Sequence, residues 1–395
     1  MTSPDAESVE IAEPNSPENE DKVSNFELFF DLVYVFTLTQ ITQYMVRTHS
    51  GVGVARGLLL LLLAWFSWSA YAWLGNQSRA DRGVTRAGMA FAMAGVFVMA
   101  LCVPEAWNDE TGGLYAPVVL AVAYLFVRGV YQLVSARLAH RDPTLLRHIR
   151  LSWLHVLGGG GLLIAGAAIG GRVQTEMMAA ALIVDWGGFY LASRWGSWRI
   201  HSAKYFTERH NLFVILAIGE SLLAMGAARL QTNLDTPLLI AALIGIGIAL
   251  GLWWLYFDLI TLAVEHRLHR AEAETRLRLA VDAFGYGHFP IVVGIVFGAL
   301  GLEGVVEHAG DTKGLGAFYA WALSGGAALY LAGLVVFGWL TLRAWGTMRA
   351  VAVCLLLIWT GPSTMLPPLA AAGGVAIILG LLALSESRGA RRLAV

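Results

Sequence analysis

Glu27, Asp31, Arg128, Asp185, Glu220 and Asp258 all stand inside long apolar runs of this 395-residue chain. A charged group at the centre of a bilayer costs about 2.5–3.5 kcal/mol or more, so each is a candidate to bind, carry or exchange something. Five acids against one base cannot all be ionised and paired in a dry site. The chemistry this suits is proton carriage, cation binding, or general acid catalysis by a desolvated carboxylic acid. Glu27 and Asp31 are four apart, hence on one helical face, which Tyr34, Leu38 and Thr42 continue. Glu27 also suits a plainer role, an acid facing the positive end of a helix dipole. Asp31 lies a turn deeper. Glu220 sits mid-run in AIGESLLAMG with no route to snorkel, and Gly219 and Gly226 beside it predict close approach of another helix.

Arg128, in AYLFVRGVYQ, needs a carboxylate, and Asp185 or Glu220 is the expected partner. The plain reading is a structural tie between two helices. Asp258 is expected to share a face with Trp254, Thr261 and Glu265, close enough to the cytoplasmic side to snorkel. His288, in GYGHFP with Asp282 upstream, is placed at the start of an apolar run. A metal ligand is conceivable there, but a lone histidine before Pro290 reads more simply as a hydrogen-bonded packing residue. No HExxH spacing occurs, and Cys102 and Cys354 form no CxxC motif. No metal or cofactor is expected. Trp65, Trp68, Tyr71 and Trp73 crowd one stretch, WFSWSAYAW, more densely than an interfacial aromatic belt requires.

The elements that must position these residues are membrane helices. Hydrophobic residues make up 57 % of the chain, charged residues 14 %, and mean hydropathy is +0.62. This excludes soluble enzymes, nucleic-acid binders and secreted disulfide scaffolds. Twelve spans are expected near 26–46, 53–74, 84–103, 115–138, 151–169, 176–193, 210–228, 237–264, 283–302, 315–341, 348–361 and 365–385. The last two are separated at Gly361-Pro362 and Pro367-Pro368. The Gly158–Gly161 run is expected to kink the fifth. In or beside the loops of one side lie 20 lysines and arginines, against five on the other, which places both termini in the cytoplasm. Residues 1–24 read as a disordered acidic cytoplasmic tail, and 386–395 as a basic one.

The spans suggest two parallel six-helix halves, 25–205 and 206–385. Leu28-Phe29 recurs as Leu212-Phe213, 184 residues on, and Tyr71 recurs as Tyr256, 185 residues on. Phe97 and Phe297 close similar runs, each followed by an acid, Glu105 and Glu303. The wider offset there matches a charged loop from Glu265 to Asp282 that the first half lacks. A functional site would lie between the halves near the midplane.

The motifs FELFFDLVYVFTLTQ (26–40), WSAYAWLGN (68–76), ERHNLFVILAIGES (208–221), WWLYFD (253–258) and YGHFP (286–290) together resemble the bacterial low-temperature-requirement A family, in the same order over about residues 24–305. The resemblance implies a multipass inner-membrane protein. It singles out Glu27, Asp31, Arg128, Glu220, Asp258 and His288 as motif or near-motif residues, and it supplies no substrate.

Three functions suit these residues. The first is a proton- or cation-coupled secondary transporter, with Glu27, Asp31, Arg128, Asp185, Glu220, Asp258, His288, Trp254 and Tyr71 as candidate contacts. The second is an intramembrane enzyme acting on an isoprenoid or other lipid in an aromatic-lined cavity, with Glu220, Asp31 and Asp258 as acid–base candidates. No aspartate-rich motif for diphosphate ionisation is present. The third is a channel or a stress-response scaffold. The expected partners are the lipid bilayer and a small-molecule or lipid substrate, not nucleic acid. The basic-residue asymmetry predicts that reporter fusions at the N-terminus and at Val395 both read out as cytoplasmic. A periplasmic C-terminus would mean that 348–385 crosses once.

Overall fold

A computed structural model describes residues 22–78, 80–110, 112–195, 200–229, 234–258 and 261–393. Among these residues every regular element is helical and none is a strand. The acidic tail expected at 1–24 lies outside them, save for residues 22–24.

Local signals set the helix ends. α1 (Asn25–Thr48) opens on a capping box: Glu27 N–H donates to Ser24 Oγ, and Ser24 N–H donates to Glu27 Oε2 at 2.8 Å. It closes at His49, whose left-handed backbone (φ 40°) lets its N–H reach Met45 O. α2 (Gly51–Gln77) follows, capped by Ser50, then α3 (Gly83–Cys102) and α4 (Ala116–Leu138). α5 (Pro143–Ile169) starts with Asp142 as cap and proline in its first turn. It turns into α6 (Gly171–Trp195) through Gly170 and Gly171, whose φ values of 79° and 61° favour glycine. α7 (Ala203–Arg229) and α8 (Thr236–Phe257) come next, followed by the short α9 (Thr261–Arg270) and α10 (Ala273–Leu279). α10 continues through a π-helical stretch, Ala280–Gly287, into α11 (Phe289–Glu307). α12 (Ala317–Ala320) passes through a second π turn, Trp321–Gly325, into α13 (Gly326–Leu342). α14 (Thr347–Ser363) and α15 (Pro368–Leu393) complete the order; they part at Pro367-Pro368, while Gly361-Pro362, the other expected interruption, lies inside the last turn of α14.

Nine helical segments among the described residues are long and apolar enough to cross a membrane. α1, α6 and α14 fall outside that set. α1 and α6 carry several polar and charged side chains, and the 17 residues of α14 reach only about 25 Å at 1.5 Å per residue. Large apolar side chains such as Phe91, Leu154, Ile183, Leu243 and Ile358 are exposed on the outside of the bundle, as a lipid-facing surface requires.

Several local expectations are corrected. α8 stops at Phe257 with Asp258 as its C-cap, and Thr261 opens a separate helix, so Trp254, Asp258, Thr261 and Glu265 do not share one face. The Gly158–Gly161 run lies within the continuous helix α5. Its Gly159 lets the Ala181 carbonyl approach, and a Cβ there would lie 3.1 Å from that oxygen. Gly219 and Gly226 meet open space instead of a helix. Residues 386–393 continue α15 instead of forming a tail.

Helix packing recurs along the chain. α1 packs on α2 and α3 as α7 packs on α8 and α11. α3 packs on α4 as α11 on α13, and α4 on α5 as α13 on α14. The pairs α5–α6 and α14–α15, and α2–α6 and α8–α15, match likewise. α1 touches α7 and α11 across the middle. Glycines serve one purpose in both sets. Gly88 and Gly95 on α3 face Val134 and Val127 of α4, while Gly287, Gly294 and Gly301 face Leu340, Tyr330 and Leu323 of the α12–α13 segment. At Gly294 the neighbours are all backbone: an added Cβ would lie 2.7 Å from the Gly326 carbonyl oxygen, equally near Tyr330 Cα, and against Tyr330 N. Gly294→Ala is expected to cost about 1–3 kcal/mol by overpacking, read as a lower melting temperature in detergent. Gly226→Ala, with open space around it, serves as the unaffected control.

Candidate functional site

The buried charges fall into separate groups, most of them along α1. At its N-terminal end, Arg209 of α7 is fully buried. Its Nη1 donates to Asp31 Oδ2 at 2.6 Å and to the Glu27 carbonyl at 3.1 Å. Its Nε lies 3.9 Å from Glu27 Oε1. Trp68 Nε1 donates to the other Asp31 oxygen at 2.8 Å, and Tyr205 OH donates to Glu27 Oε1. Gly75 of α2 makes room for that last contact: a Cβ there would fall 2.8 Å from Glu27 Oε1. Tyr205 and Arg209 are one turn apart on α7, and this turn spans both acids of α1. Glu27 thus has two roles, with one oxygen in the helix cap and the other turned to α7.

A second group ties α4, α5 and α6. Arg128 Nη2 donates to Asp185 Oδ1 at 3.0 Å, Tyr124 OH to Asp185 Oδ2 at 2.7 Å, and His155 Nδ1 lies 2.8 Å from Oδ1. The guanidinium also rests 4.3 Å from the centroid of the Phe66 ring. Of the two partners expected for Arg128, Asp185 is the one the structure pairs with it.

Between α2, α7 and α11 the space is filled by rings. Trp65 and Trp68 stack at 5.0 Å, His210 meets Trp68 edge-on at 5.0 Å, and His210 and His288 lie 5.3 Å apart. His288 Nε2 lies 2.7 Å from Tyr256 OH, which is also 3.1 Å from Asn211 Oδ1. Pro290 has no N–H for the carbonyls before it, and Trp65 Nε1 donates to one of them, Gly285 O, at 2.7 Å. Tyr71 OH donates to Val127 O at 2.8 Å. The crowded aromatics of α2 are therefore ties between helices, not the lining of an open cavity.

Further along α1, Thr39 Oγ1 donates to Glu220 Oε2 at 2.7 Å. One turn on, Gln43 Nε2 donates to Glu303 Oε1 at 2.9 Å. Both acids are buried, at 1 % and 6 % exposure, and Glu220 Oε1 and Glu303 Oε2 meet no hydrogen-bond partner. The two acids are held by side chains one turn apart on α1, and neither forms an ion pair with a basic side chain among the described residues.

Asp258 is exposed, as is Trp254, whose Nε1 donates to Ser387 Oγ at 3.1 Å. Neither joins a buried group. No cluster of three or more His, Cys, Asp or Glu among the described residues is arranged to hold a metal ion. A cleft of about 470 Å³, lined by Val54, Phe297, Leu300, Phe318, Trp321 and Leu357 among others, is apolar and carries no acid. Sequence reasoning missed Arg209, Tyr205, His155, Thr39 and Gln43, and used Glu303 only as a repeat marker. The signal for Arg209 was present: two acids one turn apart near the start of α1, and a base in ERHN at the matching depth of α7.

Residues 22–384 match the family model described as bacterial low temperature requirement A protein (LtrA). A protein of Rhizobium meliloti (strain 1021), described as uncharacterized, is 29 % identical over 335 residues, which is 80 % of this chain and 77 % of that protein. No solved structure matches the chain.

Removing one partner of a buried ion pair costs about 3–5 kcal/mol, because the other charge is left uncompensated. Arg209→Met is expected to lower stability by that amount, measured by thermal unfolding in detergent. Arg209→Met combined with Asp31→Leu is expected to recover much of the loss. A single variant as stable as the parent would show that Arg209 does not hold α1 to α7.

Proposed function

The chain belongs to the bacterial low temperature requirement A family, and from that premise we propose that it is a proton- or cation-coupled secondary transporter of the bacterial inner membrane. The proposed architecture is twelve spans in two parallel six-helix halves, with both termini in the cytoplasm. The recurring helix contacts support the halves, and the contact of α1 with α7 puts their first helices face to face. Transporter folds of this kind place substrate and ion sites between repeats near the midplane.

The observation that carries the reading is the Glu220–Glu303 pair. These two acids are buried and form no ion pair with a basic side chain among the described residues, and both are held by side chains of α1. α1 belongs to the first proposed half, and both acids belong to the second. A change in their charge therefore acts on the contact between halves, as coupling requires. The lipid-enzyme alternative needs an acid facing an apolar cavity, and the apolar cleft described above has none.

The test is a comparison of intracellular metabolites and membrane lipids in a deletion strain, its complement, and the deletion carrying Glu220→Gln. A solute that accumulates on deletion, returns to normal with the parent gene and stays high with Glu220→Gln supports transport. A modified lipid that disappears on deletion, with no solute change, overturns it in favour of the enzyme.

A further inference from the structure

We propose that Glu220 and Glu303 form a proton-carrying pair, so that the ion coupled to transport is H⁺ and not a metal cation. This rests on the transporter reading and names its coupling ion.

The argument is one of hydrogen-bond supply. Each carboxyl group receives one donor on one oxygen, from Thr39 or from Gln43. The second oxygen of each receives none and is shut off from water. An ionised carboxylate left bare in a low-dielectric interior is far costlier than a neutral carboxylic acid in the same place. Two such carboxylates held by residues one turn apart on the same helix raise that cost further. Binding a proton removes a charge and converts the bare oxygen into a small neutral hydroxyl.

A dehydrated metal cation would need a cage of oxygen acceptors around it. The groups that touch these acids are instead a hydroxyl and an amide, both donating to them, and no group of three or more His, Cys, Asp or Glu gathers there among the described residues. Loading forms one O–H bond on a carboxylate oxygen with a proton taken from water on one side. Release breaks that bond and returns the proton to water on the other. No other bond changes and no electron moves. Gln43 ties Glu303 to the helix that also holds Glu220, so one helix senses the charge of both acids.

The experiment uses the purified full chain in nanodiscs at neutral pH. Infrared spectra in H₂O and D₂O are recorded for the parent, for Glu220→Gln, for Glu303→Gln and for the double variant. The expected result is a deuterium-sensitive C=O band of a protonated carboxylic acid in the parent, absent from the double variant and reduced in at least one single variant. In parallel, the parent is melted in sodium chloride and in choline chloride, with equal midpoints expected. The absence of such a band from the parent, or a band unchanged in the double variant, overturns the proposal. A rise of several degrees in sodium chloride that the double variant lacks also overturns it, while leaving cation-coupled transport intact. The parent spectrum and melts decide the matter if a variant fails to fold. A failure of the transporter reading itself appears separately, in the metabolite comparison.

Discussion

The Arg209–Asp31 ion pair is the contact on which the rest of the arrangement depends. A guanidinium with no exposed surface is tolerable only if a carboxylate meets it at hydrogen-bond distance, and here that distance is 2.6 Å. The pair fixes α7 against α1 in both rotation and depth. Trp68 then has a carboxylate oxygen to donate to, which fixes α2. With α1, α2 and α7 locked, α11 packs on α7 and reaches α1 one end further along, which brings Glu303 to Gln43. The unpaired acids can stay bare because the paired ones carry the register.

Much of this was legible in the residues, and the exceptions have physical causes. The break between α14 and α15 falls at Pro367-Pro368, although Pro362 is carried inside α14. The Arg128–Asp185 pair follows from the cost of a mid-depth cation. Arg209 was hidden because a base near a helix start reads as a topology signal, and only the packing of α7 on α1 shows that it is covered. Asp258 misled in the opposite direction: it sits in an apolar run, but the helix ends before it. Gly219 and Gly226 looked like an interface because sequence reports small residues without reporting the face they occupy. The π turns had no sequence signal beyond Pro290.

The two sets of recurring helix contacts share a plan more than a chemistry. In the first, Asp185 of α6 is met by Arg128 of α4 and His155 of α5. In the second, Glu386 of α15 is met bidentately by Arg349 of α14 at 2.7 and 2.8 Å. An acid is tied to a preceding helix in each, with different partners. At the glycine seam the difference runs the same way. The first set meets valine side chains, whereas in the second, at Gly294 and Gly301, the close contacts are largely backbone, giving the tighter helix pair.

The stretch Ala280–Gly287 carries more chain per turn than the helices on either side of it. One surplus residue advances the azimuth of everything downstream by about 100°, the angle per residue of an α-helix. Glu303 therefore owes its bearing toward α1 to an insertion some twenty residues earlier. Trp65, from a different part of the chain, grips the carbonyl of Gly285 inside that insertion and acts as a detent on a spindle. If that stretch rewound as regular α-helix, the acid would swing about the helix axis while the axis itself stayed still. Motion in this bundle can thus take the form of torsion within one rod, with neither tilting nor sliding of its neighbours.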